Sequence, residues 1–129
     1  AGGGSPEAYL STELNEWSGS YDGREQLAIK QYAEALETIP LTIAENAGMD
    51  PIDTIIALRA NQSSGKQTMG INAKEGKIGN MFSLDIVEPL AVKEQIIKSA
   101  TEAACMILRI DDVIAVSGGP GAGGMPPMG

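Results

Sequence analysis

The sequence predicts a mainly helical fold with one small β-hairpin and a short C-terminal strand. Three observations carry that prediction. A short polar residue precedes proline at Ser5-Pro6 and Asp50-Pro51, the pattern of a capped helix start. Apolar residues recur at three- and four-residue spacing over long stretches. The polar run at 61–67 (NQSSGKQ) is followed by two short segments flanking Ala-Lys-Glu-Gly, which reads as a loop and then a hairpin. At 129 residues the chain has room for one domain with one modest core.

In chain order, Ser5 as N-cap, Pro6 at the first helical position and Glu7 in the first turn open a helix that should reach Ser18 before Gly19. Asp22 and Glu25 have capping-box spacing, and Leu27, Tyr32, Ala35, Leu36 and Ile39 line one apolar face. Pro40 lacks the N–H that would bond to Leu36, so a kink or interruption is expected there, with a second helical segment over 41–47 ending at Gly48. Asp50-Pro51 starts a helix that should end near Asn61. The hairpin is expected over 68–72 and 77–78 with its turn at 74–76. After Pro89, the spacing Val92, Ile96, Ala100, Ala103, Ile107, Ile110 keeps one helical face apolar for about five turns. Residues 112–116 alternate weakly and predict the terminal strand. Nine of the thirteen residues at 117–129 are Gly or Pro and none is charged, which predicts a disordered tail. The chain opens on Ala1-Gly2-Gly3-Gly4 without an initiator Met, as a piece of a longer protein would.

Composition removes several function classes. With 9 Lys plus Arg against 17 Asp plus Glu, the net charge of −8 disfavours nucleic acid and anionic membrane surfaces as partners. No histidine is present, which excludes Ser-His-Asp and Cys-His nucleophile systems and His-based metal sites. The single Cys105 permits no internal disulfide; its apolar neighbours mark it as a core filler, and few thiols suit a reducing, cytoplasmic setting. No apolar run approaches the roughly 18 residues of a membrane span.

Among candidate sites, Gly2-Gly3-Gly4 either lets a ligand approach the backbone at a helix start or serves as a linker. Ser63-Ser64-Gly65-Lys66 fails as a phosphate loop, because Ala60 replaces the first Gly and Gln67 the magnesium-binding Ser or Thr. Glu88 precedes Pro89 but is too long to cap well, so its carboxylate is either a first-turn acid favoured by the helix dipole or aimed at a ligand. Asp111-Asp112 on a strand would point to opposite faces and reads as a solvated pair. Trp17 and Tyr21 read as packing residues.

The stretches AGGGSPE (1–7), GREQLAI (23–29), IAENAGMDPID (43–53) and EPLAVKEQIIKSATEAACMILRIDDVIA (88–115) fall in order along nearly the whole chain, and the end is GGMPPMG. Together they resemble the C-terminal equatorial segment of a group II chaperonin of the archaeal thermosome type. The resemblance implies that 1–116 is about half of a helical, ATP-binding equatorial domain and 117–129 a tail entering the ring cavity. It implies a cytoplasmic machine whose subunits form double rings and use ATP to close a chamber round unfolded client proteins. Residue by residue it implies Gly3 against the ribose, Asn72 and Ala73 beside the adenine, Glu88 on the ribose hydroxyls, and Lys93 near the base or ribose. The family's GDGTT motif and its magnesium-binding and water-activating aspartates are absent from this sequence. ATP or ADP would thus be held with magnesium on residues outside this chain, which itself supplies no catalytic residue or metal ligand and would be inactive alone. The alternative is a stand-alone acidic helical protein-interaction module without nucleotide function.

Overall fold

The computed structural model describes residues 1–117 and side chains as far as residue 110. It is mainly helical, in the order α1 (Ser5–Ser18), α2 (Gly23–Asn46), α3 (Pro51–Ser63), β1 (Met69–Asn72), β2 (Lys77–Asn80) and α4 (Leu90–Ser117). The chain divides into two compact units, one over Ala1–Glu88 and one from Pro89 onward.

The helix starts follow local chemistry with two adjustments. Asp50 caps α3 as expected, its carboxylate accepting the Asp53 N–H at 2.9 Å. Asp50→Ala should therefore cost about 1 kcal/mol, read as a lower urea-unfolding midpoint at unchanged slope. The N-cap of α1 is Gly4 rather than Ser5. Gly4 is left-handed (φ 73°), and a Cβ there would lie 2.8 Å from Cβ of Pro40, so the crowding that selects glycine also sets the helix start. Ser5 is the first helical residue, and its hydroxyl donates to the Gln67 carbonyl at 2.9 Å. Asp22 precedes α2 but its side chain makes no capping bond, so the predicted capping box does not form.

Of the kink or interruption expected at Pro40, the interruption is absent: α2 runs through it as one helix of 24 residues. The proline is fully buried, and its packing on Gly4 offsets the lost backbone bond. The strand expected at 112–116 is also absent, since α4 continues to Ser117. Strand geometry needs a ladder partner, and the sequence offers no helix breaker before Gly118. Cys105, expected in a core, is exposed on α4. The tail at 118–129 lies outside the described residues.

The core of the first unit gathers Ala8, Ile55 and Leu58, with Leu41, Met69 and Ile78 packed against it. It thus joins α1, α2, α3 and both strands. Buried polar contacts reinforce the same junctions. Ser11 in α1 donates to the buried Glu37 carboxylate of α2 at 2.6 Å, and Arg59 of α3 pairs with that carboxylate, its Nε donating at 3.1 Å. Gln62, near the end of α3, donates to the carbonyls of Ser5 at 2.9 Å and Met69 at 3.3 Å. The unit leaves Leu27, Ile52 and Ile56 more than half exposed. Trp17 stacks edge-on against Tyr21 with ring centroids 5.0 Å apart.

Candidate functional site

The hairpin places the site. Strands β1 and β2 pair antiparallel, with Ile71 opposite Ile78 and Asn72 opposite Lys77. The Gly76 N–H donates to the Asn72 carbonyl at 2.9 Å, closing the turn over Ala73, Lys74 and Glu75. Asn72 is buried, and its side-chain oxygen accepts the Glu75 N–H at 3.4 Å, so this side chain shapes the turn from within. Beyond β2, the Asn80 side chain accepts the Phe82 N–H at 3.1 Å and begins a tight turn that brings Leu84 and Ile86 back toward the strands.

The N-terminal segment runs beside this hairpin. The Gly2 N–H donates to the Ile86 carbonyl and the Gly3 carbonyl accepts the Ile71 N–H, both at 2.9 Å. Gly3 is left-handed (φ 63°), and a Cβ there would lie 2.5 Å from Sδ of Met81 and 2.6 Å from the Ile71 carbonyl oxygen. Glycine is thus required by the fold itself, whatever the pocket holds.

Between these segments lies a pocket of about 500 Å³ lined by Gly3, Ile43, Ile71, Asn72, Ala73, Lys74, Glu75, Leu84 and Ile86. Its walls are chiefly aliphatic, with backbone polar groups and the hairpin turn at one side. Glu75 is ion-paired with Lys77 at 2.6 Å, which leaves Lys74 as the cationic side chain of the lining. Such a cavity suits a planar, mostly apolar group with a few polar edges and offers little to a chain of phosphates. A second hollow of about 260 Å³, between α1 and the end of α3, includes Tyr9, Glu13 and Glu16. The charge on Glu13, partial burial, the hydrogen bond to Glu13 and the charge on Glu16 hold the Tyr9 phenol above its ordinary pKa, which marks that hollow as hostile to anions.

Of the five residues singled out in the sequence, Gly3, Asn72 and Ala73 line the same pocket although about seventy positions separate the first from the others. Glu88 is not in its lining; it is exposed at the last position of the first unit. Lys93 is half-buried in the first turn of α4, where its N–H donates to the Pro89 carbonyl at 3.1 Å. The aliphatic walls Ile43, Ile71, Leu84 and Ile86 were not anticipated. Lys74 and Glu75 could have been, since the turn residues next to Asn72 and Ala73 must share their rim. Among the described residues no three or more Asp, Glu or Cys side chains are grouped to hold a metal, and no helix is long and apolar enough to cross a membrane.

A helical unit with a glycine segment laid against a two-stranded hairpin narrows the class, and comparison with known proteins fixes it. The model of the TCP-1/cpn60 chaperonin family matches residues 1–117, and the chain belongs to that family. It is similar to thermosome subunits: 50% identical to thermosome subunit beta of Archaeoglobus fulgidus over 98% of this chain and 24% of that protein. It is 55% identical to thermosome subunit alpha of Halobacterium salinarum over 88% of this chain and 20% of that protein. Among solved structures, the open-state monomer of a group II chaperonin from Methanococcoides burtonii superposes with a TM-score of 0.82 at 48% identity, over 84% of this chain and 27% of that one. The likeness to group II chaperonins read from the sequence is therefore borne out. The chain spans between a fifth and a quarter of the length of these curated relatives.

Proposed function

We propose that this chain supplies the nucleoside side of an ATP or ADP pocket in a ring-forming, ATP-driven protein-folding chaperonin. The observation that carries the reading is the convergence of Gly3, Asn72 and Ala73 on one aliphatic-walled pocket large enough for a nucleoside. In this reading Ile43, Ile71, Leu84 and Ile86 sandwich the adenine, the Gly3 backbone lies against the ribose, and the turn at Ala73 borders the base. Glu88 accepts hydrogen bonds from the ribose hydroxyls, and Lys93 lies near the base or ribose. The nucleotide contributes the phosphoanhydride whose hydrolysis drives the cycle. Phosphate, magnesium and water activation belong to residues outside this chain, as do the surfaces that hold unfolded clients, while other subunits complete the ring.

Photolabelling full-length rings with 8-azido-ATP tests the pocket. Modification of peptides containing Ile43 or residues 71–75, blocked by excess ATP, is the expected result; labelling confined to other parts of the subunit would refute it. The Glu88 assignment has its own test. Two charge-assisted bonds contribute about 1.5 to 3 kcal/mol each before desolvation, so Glu88→Ala should weaken ADP binding by about 10- to 100-fold in calorimetric titration. Unchanged affinity would leave Glu88 as an exposed acid two residues ahead of α4.

A further inference from the structure

We infer that Met81 is the positioning residue of this pocket: a buried thioether peg that locks the Gly2-Gly3 segment, β1 and the turn before Ile86 into one rigid wall. The inference rests on the nucleoside reading for its ligand but on packing for its geometry.

Met81 is fully buried, yet it does not line the pocket. Its side chain fills the space that side chains at two glycines would occupy: a Cβ on Gly3 would lie 2.5 Å from its Sδ, and one on Gly70 2.7 Å from its Cγ. Its backbone is engaged on both sides, with the N–H donating to Thr68 at 3.0 Å and the carbonyl accepting from Ile86 at 2.9 Å. Three of the contacts lie at or next to lining residues: Gly3 itself, Ile71 beside Gly70, and Ile86. The two bonds tying down the glycine segment, Ile71 N–H to Gly3 and Gly2 N–H to Ile86, span the segments that Met81 joins. A flexible, unbranched thioether suits this position, because it adapts to the irregular gap between the glycine segment and β1. Without the peg those segments lose their common backing, and the ribose side of the pocket moves relative to the base side.

The test compares Met81→Ala with Leu58→Ala in full-length rings. Leu58 is equally buried and lines no part of the pocket; it sits in the core where the three helices meet Met69 and Ile78. Two quantities are read at a temperature where both variants are folded: ADP affinity, and amide exchange of peptides spanning residues 1–4 and 69–72 against peptides of α1–α3. Met81→Ala should weaken ADP binding by about tenfold and raise exchange at 1–4 and 69–72 alone, whereas Leu58→Ala should leave affinity within about twofold. Met81→Leu, which keeps the volume, should restore most of the affinity. If Met81→Ala fails to fold, Met81→Val carries the same pattern with about a threefold effect. Equal loss of affinity in the Met81 and Leu58 variants, or exchange rising uniformly through the unit, would overturn the inference, as would unchanged affinity and exchange. Rings that bind no adenine nucleotide at all would refute the nucleoside reading, and the exchange pattern would still decide whether Met81 holds the wall.

Discussion

Replacing Gly3 by alanine is expected to lower the stability of the first unit by about 2 to 5 kcal/mol and, on the proposed nucleoside reading, to abolish measurable nucleotide binding in the full-length protein. Two effects add. The left-handed backbone at Gly3 (φ 63°) costs a residue with a Cβ about 1 to 2 kcal/mol. The new methyl also meets Sδ of Met81 and the Ile71 backbone at 2.5 to 2.8 Å, an overpacking worth about 1 to 3 kcal/mol. The methionine can yield; the strand backbone cannot, because the Ile71 N–H is already bonded to Gly3. Relief therefore comes by moving the glycine segment away from β1, which opens the pocket wall. Gly48→Ala and Gly65→Ala separate the two effects, since both sites are left-handed but nothing lies within 4 Å of a Cβ there. They should cost about 1 to 2 kcal/mol each and leave ADP affinity unchanged. At about 4 to 8 °C per kcal/mol for a unit of this size, Gly3→Ala should lower the melting transition by at least about 8 °C, and by more than either control. A loss no larger than theirs would show that the close approach to Met81 and Ile71 is unimportant.

How much could be read in advance depended on whether the determinant was local. Asp50-Pro51 announced α3 because a cap and a proline act within one turn, and the hairpin followed from a short polar turn between two strand-like runs. Pro40 does not interrupt α2, and the reason is not local: the ring packs on Gly4, thirty-six residues away. The same contact moved the cap of α1 from Ser5 to Gly4. At 112–116 a five-residue alternation was too short to distinguish a strand from the continuing period of α4. Asn72 and Ala73 were singled out by family likeness alone, and Gly3 by that likeness and by its place in a glycine run ahead of a helix; their joint placement in one pocket became visible only in three dimensions. The Asn72 side-chain oxygen also accepts the Glu75 N–H, a role in the turn that the likeness did not foretell. The walls from Ile43 and Ile86 had no local mark, since aliphatic residues in a helix and a loop look like ordinary core positions until the hairpin brings them together.

The junction of α1, α2 and α3 should prove asymmetric when its charged pair is dissected. Glu37 is 7% exposed at its side chain and Arg59 44%. Arg59→Ala leaves a buried carboxylate with the Ser11 hydroxyl, a cost of about 3 to 5 kcal/mol for a broken buried pair. Water reaching the vacated, half-exposed arginine site reduces this to about 2 to 4 kcal/mol. Glu37→Ala frees an arginine that can turn into solvent, so its cost should be smaller, about 1 to 2 kcal/mol including the bond lost by Ser11. Replacing both residues by methionine removes the uncompensated charge and keeps the volume, and should restore stability to within about 1 kcal/mol of the parent. Urea unfolding followed by circular dichroism gives all four midpoints. Equal losses for the two single variants, or a double variant as unstable as their sum, would mean that the pair acts through its mutual attraction rather than through the burial of Glu37. The predicted order instead assigns Arg59 the task of keeping that carboxylate tolerable at the point where three helices meet.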